Sequence, residues 1–360
     1  PMTSQDSGPV DWAAVTGRPQ PSLNREAIRA RLSGQVVAIT GAGGSLGAPL
    51  AHAVANALPS RLIVIDWHES SLFRLRQALA VAHPEVRVDA VLADVRDSSR
   101  VRRAFEAATP STLFHLAAYK HVPWGEEDPT AFASVNVLGA RAVIQAATAA
   151  GVARVVYPST DKAIDPPSLY GATKRLVEAQ FRGAAASGGS ACTLVRFVNV
   201  LGSQGSAPET FIRLLRAGQA VTVTDPAMRR YWITPAHATL LLLHGACLDD
   251  RAVIVAPDAG DEITVVDIAA RLARIVVPGH APEIRVTGAR PGERLAEPLV
   301  APHESLEGVG LEGILAVRGM TGIDGIAVEA AVDRLASLLA DSAPDVVVRD
   351  ALFTDTWSVP

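Results

Sequence analysis

At 360 residues and 49% hydrophobic content, the chain can bury a sizeable core in a large α/β domain with a smaller unit beside it. A net charge of −4 gives no basic surface for nucleic acid or an anionic membrane, and no apolar run approaches the ~18 residues of a membrane span. Two cysteines, Cys192 and Cys247, exclude a disulfide framework; the nine histidines lack metal-ligand spacing and the polar start lacks a signal-peptide core, so a cytoplasmic chain without metal is expected.

Residues 1–33 read as an N-terminal extension, flexible at first and then helical over Asn24 to Leu32, with Asn24 as cap. Over 34–200, strands near 35–40, 61–66, 87–93, 112–117, 154–159 and 192–197 alternate with helices such as 69–81, 98–107, 130–149 and 170–184. This is the rhythm of an α/β fold with a doubly wound parallel Rossmann sheet, to which a segment at about 230–257 returns. Short Gly/Pro-punctuated elements over 201–229 and 258–315 predict a small C-terminal substrate-binding lobe. Residues 316–360 read as a helical tail whose amphipathic stretch, Val328 to Leu339, packs on the main body.

Two motifs fall at the strand ends, which right-handed crossovers bring to one crevice. The strand Gln35 to Thr40 runs into Gly41-Ala-Gly-Gly44-Ser45-Leu46-Gly47 and then a helix from Ala48 to Leu58. Gly41 allows a tight turn, Gly44 a close backbone approach to a pyrophosphate and Gly47 close helix–sheet packing, a dinucleotide-binding order. Asp66 ends the next strand about twenty residues on, where an acid binds the adenosine ribose hydroxyls. It would repel a 2′-phosphate, so NAD is expected, with NADP as the alternative because His68, Arg74 and Arg76 are near. Asp94 and Val95 suit the adenine, and Ala117 and Ala118 end the fourth strand in the same crevice.

The second motif is Thr160-Asp161-Lys162 followed by Tyr170-Gly-Ala-Thr-Lys174. Tyr170 and Lys174 share a helix face, so the ammonium is expected to lower the phenol pKa towards neutrality and make Tyr170 a proton acceptor.

With these motifs, the segments Phe114 to Pro123, Ser159 to Ala163, Arg196 to Ser203, Met228 to Thr234 and Arg290 to Glu293 resemble the signatures of UDP-N-acetylglucosamine 4,6-dehydratases. These are extended short-chain dehydrogenases/reductases of bacterial polysaccharide biosynthesis, and the similarity runs from about residue 17 to 300. The lead-in from Gly17 resembles the membrane-anchored members, whose membrane segments have no counterpart here, so a soluble form is expected. Three positions depart from the pattern: Tyr170 stands where the anchored members have Met, Gln204 replaces an Arg, and Val198 replaces a Gly.

The resemblance implies a UDP-linked amino sugar as substrate. Tyr170 and Lys174 would assist oxidation at C4, Thr160 would bond the C4 oxygen, Lys162 would take the C5 proton and Asp161 would protonate the leaving C6 hydroxyl. Lys120, His121 and Asn199 stand where they could meet substrate, or for Lys120 and His121 a solvated loop. Arg230 and Arg290 offer forks to the diphosphate or salt bridges within the lobe, and Glu293 an acceptor for a ribose hydroxyl. A UDP-sugar 4-epimerase and a non-catalytic dinucleotide sensor are the alternatives. By the same resemblance, segments 130–149 (stripe Ala131, Val135, Leu138, Ala142, Ala146) and 170–184 (Ala172, Ala179, Ala184) are expected to pair two subunits, giving a homodimer or a higher homo-oligomer.

Overall fold

In the structure, a computed structural model describing residues 10–290, 292–354 and 358–359, the predicted alternation builds one nine-stranded sheet. The start of the predicted extension, residues 1–9, lies outside the described residues. Helices α1 (Trp12–Thr16) and α2 (Arg25–Leu32) come first, and the Asn24 side chain caps α2 by accepting from Ala27 N. Then β1 (Val36–Thr40), α3 (Gly47–Ala55), β2 (Arg61–Asp66), α4 (Glu69–Ala82), β3 (Val88–Leu92), α5 (Ser98–Glu106) and β4 (Thr112–His115) alternate. Short helices α6 (Val122–Glu127) and α7 (Pro129–Phe132) lead through a π-helical stretch, Ala133–Leu138, into α8 (Gly139–Ala149). The first half ends with β5 (Arg154–Thr160), α9 (Leu169–Ala186) and β6 (Ala191–Phe197).

Beyond residue 198 come β7 (Asn199–Val200), α10 (Ala207–Arg216), β8 (Val221–Val223), β9 (Arg229–Arg230), β10 (Trp232–Ile233), α11 (Pro235–Cys247) and β11 (Ala252–Pro257). They are followed by β12 (Ile263–Thr264), α12 (Val265–Val276), β13 (Ile284–Val286), β14 (Ser305–Gly308), β15 (Ile314–Arg318) and β16 (Gly322–Ile323). Last are α13 (Gly325–Ala340), α14 (Asp345–Phe353) and β17 (Ser358–Val359).

The strand order is β14-β15-β11-β6-β5-β4-β1-β2-β3, parallel from β11 to β3, with β15 and β14 antiparallel at the edge. Residues assigned from sequence to the lobe and tail, 305–308 and 314–318, therefore extend the main sheet instead. They read as short punctuated elements because an edge pair has neither long apolar runs nor helical spacing. Central strands β1, β4 and β5 are buried on both faces, as a parallel sheet covered by helices on each side requires. One face packs on α2, α3, α4 and α11, the other on α5, α8, α9, α13 and α14. A separate core of Leu201, Phe211, Val221, Trp232, Ile268 and Leu272 forms the small lobe, to which Val15 of α1 also contributes.

The tail packs on part of the surface expected to pair two subunits. Helix α9 is buried almost all round, with only Ala186 of its 18 residues exposed. Val328, Val332 and Leu335 of α13 share one face and pack into its core, and a Cβ on Gly183 of α9 would meet Gly325 Cα at 3.4 Å. Arg141 pairs with Asp333 at 2.7 Å and Thr130 Oγ1 donates to Asp345 at 2.6 Å. Much of the apolar face assigned from sequence to a second subunit is thus covered by the same chain's tail. An amphipathic stripe shows that something covers it, not which chain does.

Candidate active site

The glycine turn opens the cleft. Gly41 has φ +67°, and a Cβ there would lie 2.6 Å from Ala117 N; a Cβ on Gly47 would overlap the Gly41 carbonyl oxygen. Neither position admits a side chain. Asp66, at the end of β2, accepts from Gly43 N at 2.8 Å and His68 N at 2.9 Å, which fixes the turn against the second strand and leaves lone pairs free. Gly41, Gly44, Asp66, Asp94, Val95, Ala117 and Ala118 line a cleft of about 350 Å³. Arg96, unrecognised in the sequence, bonds the Asp94 carboxylate, and those hydrogen bonds hold its pKa below the ordinary value. Backbone cradle, acid and apolar walls in this order fit a dinucleotide.

Gly44, Ser45, Leu46 and Gly47 also line a second cleft, of about 870 Å³, which holds the acid/base residues. Strand β5 delivers Thr160, a 3₁₀ turn carries Asp161–Ala163, and Ser168 caps α9 by accepting from Gly171 N. Tyr170 and Lys174 face the cleft from α9, as their spacing predicts. Their electrostatics run opposite to the expectation. Burial pushes the Tyr170 phenol well above its ordinary range, against the lowering effect of a hydrogen bond with Thr160. Burial also brings Lys174 down to about 7, partly opposed by Glu178 one turn along. Lys174 Nζ donates to Pro158 O at 2.8 Å and stands 6.0 Å from the Tyr170 ring centre, so desolvation outweighs the attraction between the pair.

Beside them, Asp161 accepts from Thr160 Oγ1 at 3.0 Å and from Lys162 Nζ at 2.9 Å, while its Oδ2 is buried and unpartnered. Lys162 lines the cleft and the Asp161 carboxyl lies just behind it. Glu297, which the sequence reading missed, lies 3.9 Å from Lys162 Nζ. Below the site, Ser159 donates to Glu178 at 2.5 Å, and Arg196 bridges Glu178 (3.1 Å) and Glu304 (2.6 Å), tying α9 to β5 and β6. Asn136, in the π-helical stretch, bonds Tyr119 N (2.8 Å), Tyr119 O (3.0 Å) and Thr173 Oγ1 (3.1 Å), fixing the loop after β4 against α9.

The remaining predicted residues divide. Lys120, His121 and Asn199 line the cleft, as do Val198 and Gln204, two of the departures from the family pattern. Arg230 does not: its guanidinium is buried and donates to the carbonyls of Arg229 (2.6 Å), Leu295 (2.9 Å) and Arg294 (2.7 Å), which occupies the fork expected for a diphosphate. Arg290 is exposed on its loop, its N–H bonded by Glu293 at 3.2 Å, so neither side chain reaches the cleft walls. One sequence signal could have ranked the candidates. The chain has three lysines among its 33 basic residues, Lys120, Lys162 and Lys174, and all three line this cleft. Elsewhere arginine serves, so lysine stands only where a compact cation that can lose its proton is useful.

Fold and Tyr–Lys pair together define an extended short-chain dehydrogenase/reductase. The chain belongs to the polysaccharide biosynthesis protein family, whose profile matches residues 37–318. It is 33% identical over 300 residues to the capsular polysaccharide biosynthesis protein CapD of Staphylococcus aureus, covering 82% of this chain and 50% of that one. It therefore spans about half the length of the first relatives it matches. It is 30% identical to a UDP-N-acetylglucosamine 4,6-dehydratase (inverting) of Campylobacter jejuni, over 75% of this chain and 78% of that one. UDP-glucose 4-epimerases of Rickettsia match at 29 to 31%. The X-ray structure of Pen from Bacillus thuringiensis superposes with a TM-score of 0.70 at 28% identity, covering 79% of this chain and 86% of that one. Among the described residues, no helix is long and apolar enough to cross a membrane.

Proposed function

We propose that the chain dehydrates a UDP-linked N-acetylhexosamine, UDP-N-acetylglucosamine first among candidates, to a 4-keto-6-deoxy sugar. The observation that carries this reading is the Asp161–Lys162 contact beside Thr160 and Tyr170. Epimerisation at C4 needs the tyrosine but has little use for a second acid/base pair. Tyr170 takes the C4 hydroxyl proton, Lys174 shares it, and Thr160 bonds the C4 oxygen. NAD, which the turn from Gly41 to Gly47, Asp66 and Asp94 would hold, would supply a hydride acceptor for C4 and a hydride donor for C6, with a proton restored to C5 in the last step. The C4 carbonyl acidifies the neighbouring C–H, Lys162 removes the C5 proton, and Asp161 protonates the C6 hydroxyl, which leaves as water. These roles require neutral Lys162 and protonated Asp161, and a proton shift along their 2.9 Å contact converts the ion pair into that form.

Incubation with a panel of UDP-sugars and mass spectrometry is the test. A product lighter by one water from UDP-N-acetylglucosamine is expected; an isomer of unchanged mass assigns the epimerase reading instead. NAD is expected to bind at least about tenfold more tightly than NADP, roughly 1.4 kcal/mol, because a 2′-phosphate would face the Asp66 carboxylate. Equal or tighter binding of NADP by calorimetry would overturn that preference.

A further inference from the structure

Glu297 is buried at 3% exposure, and its Oε2 has no hydrogen-bond partner. Its other oxygen lies 3.9 Å from Lys162 Nζ and 3.8 Å from Arg230 Nη2, so it is within ion-pair range of two cations but bonded tightly to neither. The position is built. Arg230 donates to the carbonyls of Arg294 and Leu295 just ahead of it, and Arg294 Nη2 bonds Asp165 O (2.5 Å) and Oδ2 (2.8 Å), clipping this segment onto the turn that carries Asp161 and Lys162. Lys162 Nζ therefore has the cleft on one side and two buried carboxyls, Asp161 and Glu297, on the other.

We propose that Glu297 is the positioning residue for Lys162: it holds Nζ towards the substrate and supplies the counter-charge for the ammonium formed when Lys162 takes the C5 proton. The proposal rests on the dehydratase reading above. In the step, the Lys162 lone pair accepts the proton and the C5–H electrons form the enolate of the C4 ketone. The enolate then expels the C6 oxygen as water with the proton from Asp161. That transfer leaves Asp161 anionic only afterwards, whereas Glu297 gives up no proton in the step. Burial raises the Glu297 pKa, and Lys162, Arg230 and Arg294 oppose this while Asp161 adds to it. The carboxylate therefore depends on cations from both the turn and the lobe.

Because the chain has three lysines, all in the cleft, lysine-selective isotope labelling reports on this site alone. In the NAD-loaded protein, E297Q is expected to lower the pH at which the Lys162 signal titrates by about 1 to 3 units, since an anion within ~4–6 Å favours the charged amine. E297D, which keeps the charge, is expected to restore most of the shift. E297Q should also slow loss of water on the order of 10- to 100-fold, with C4 oxidation and KM little changed. An unshifted Lys162 titration in a folded E297Q overturns the proposal whatever the parent's activity, and a shifted titration with a parental elimination rate overturns its catalytic part. A parent that dehydrates no UDP-sugar overturns the reading of the reaction, while the titration still decides whether Glu297 controls Lys162.

Discussion

Replacing Lys174 by Met is expected to remove the acid limb of the rate near pH 7 and to leave a rate that keeps rising towards pH 10 and above. In the parent, Lys174 is depressed to about 7 by burial, and the phenol beside it is pushed well above its ordinary range. The pair as a unit thus gives up its first proton near pH 7, and the form that can accept the C4 hydroxyl proton is populated above that. In Lys174→Met the first proton to leave is the phenol's, so at pH 7 the turnover should fall on the order of 10²- to 10⁴-fold, with substrate binding largely kept. Tyr170→Phe should lose as much without the rise at high pH. A pH–rate profile decides, and a Lys174→Met limb still centred near pH 7 would assign the titration to another group. Stability carries the same signature with a definite sign. Between about 7 and the ordinary lysine value of ~10.4, the unfolded chain binds more protons than the folded one, so this group's contribution makes the fold more stable as pH rises through that window. Lys174→Met should flatten that rise.

The second large effect separates oxidation from elimination. Lys162→Ala and Asp161→Asn are expected to keep hydride transfer from C4 while loss of water falls by roughly 10²- to 10⁴-fold. Single-turnover absorbance should show reduced nicotinamide persisting, and mass spectrometry a 4-keto sugar that retains its C6 hydroxyl. Full dehydration by both variants at the parental rate would remove these residues from the mechanism. Asp161→Asn also leaves Lys162 Nζ without the carboxylate it bonds at 2.9 Å, so its loss should be no smaller than that of the lysine variant.

What the sequence disclosed was local. The turn Gly41 to Gly47, the strand rhythm, the cap Asn24 and the shared face of Tyr170 and Lys174 each follow from residues within a few positions of one another. What it concealed depends on partners far along the chain. Glu297 matters because it meets Lys162, 135 residues earlier, and Asn136 because it meets Tyr119 and Thr173. A guanidinium fork reads the same in sequence whether it faces a phosphate or three carbonyls, which is why spacing alone left Arg230 between a diphosphate contact and an ion pair within the lobe. The Tyr170–Lys174 pKa shifts were missed for a related reason: spacing fixes which groups are neighbours, but burial, a property of the whole fold, set the direction.

Helix α9 begins with Tyr170 and Lys174 and is sealed by α13 and α14, whose residues follow it by well over a hundred positions. During synthesis the Rossmann strands up to β6 emerge first, at ~5–20 residues per second, and can pair while that flank of α9 still faces water. Helix α9 acquires its last apolar neighbours only when residues 325–353 leave the ribosome. Maturation of the site is thereby timed to the arrival of the tail, and an interrupted chain would carry Tyr170 and Lys174 on a helix that is not yet held in place.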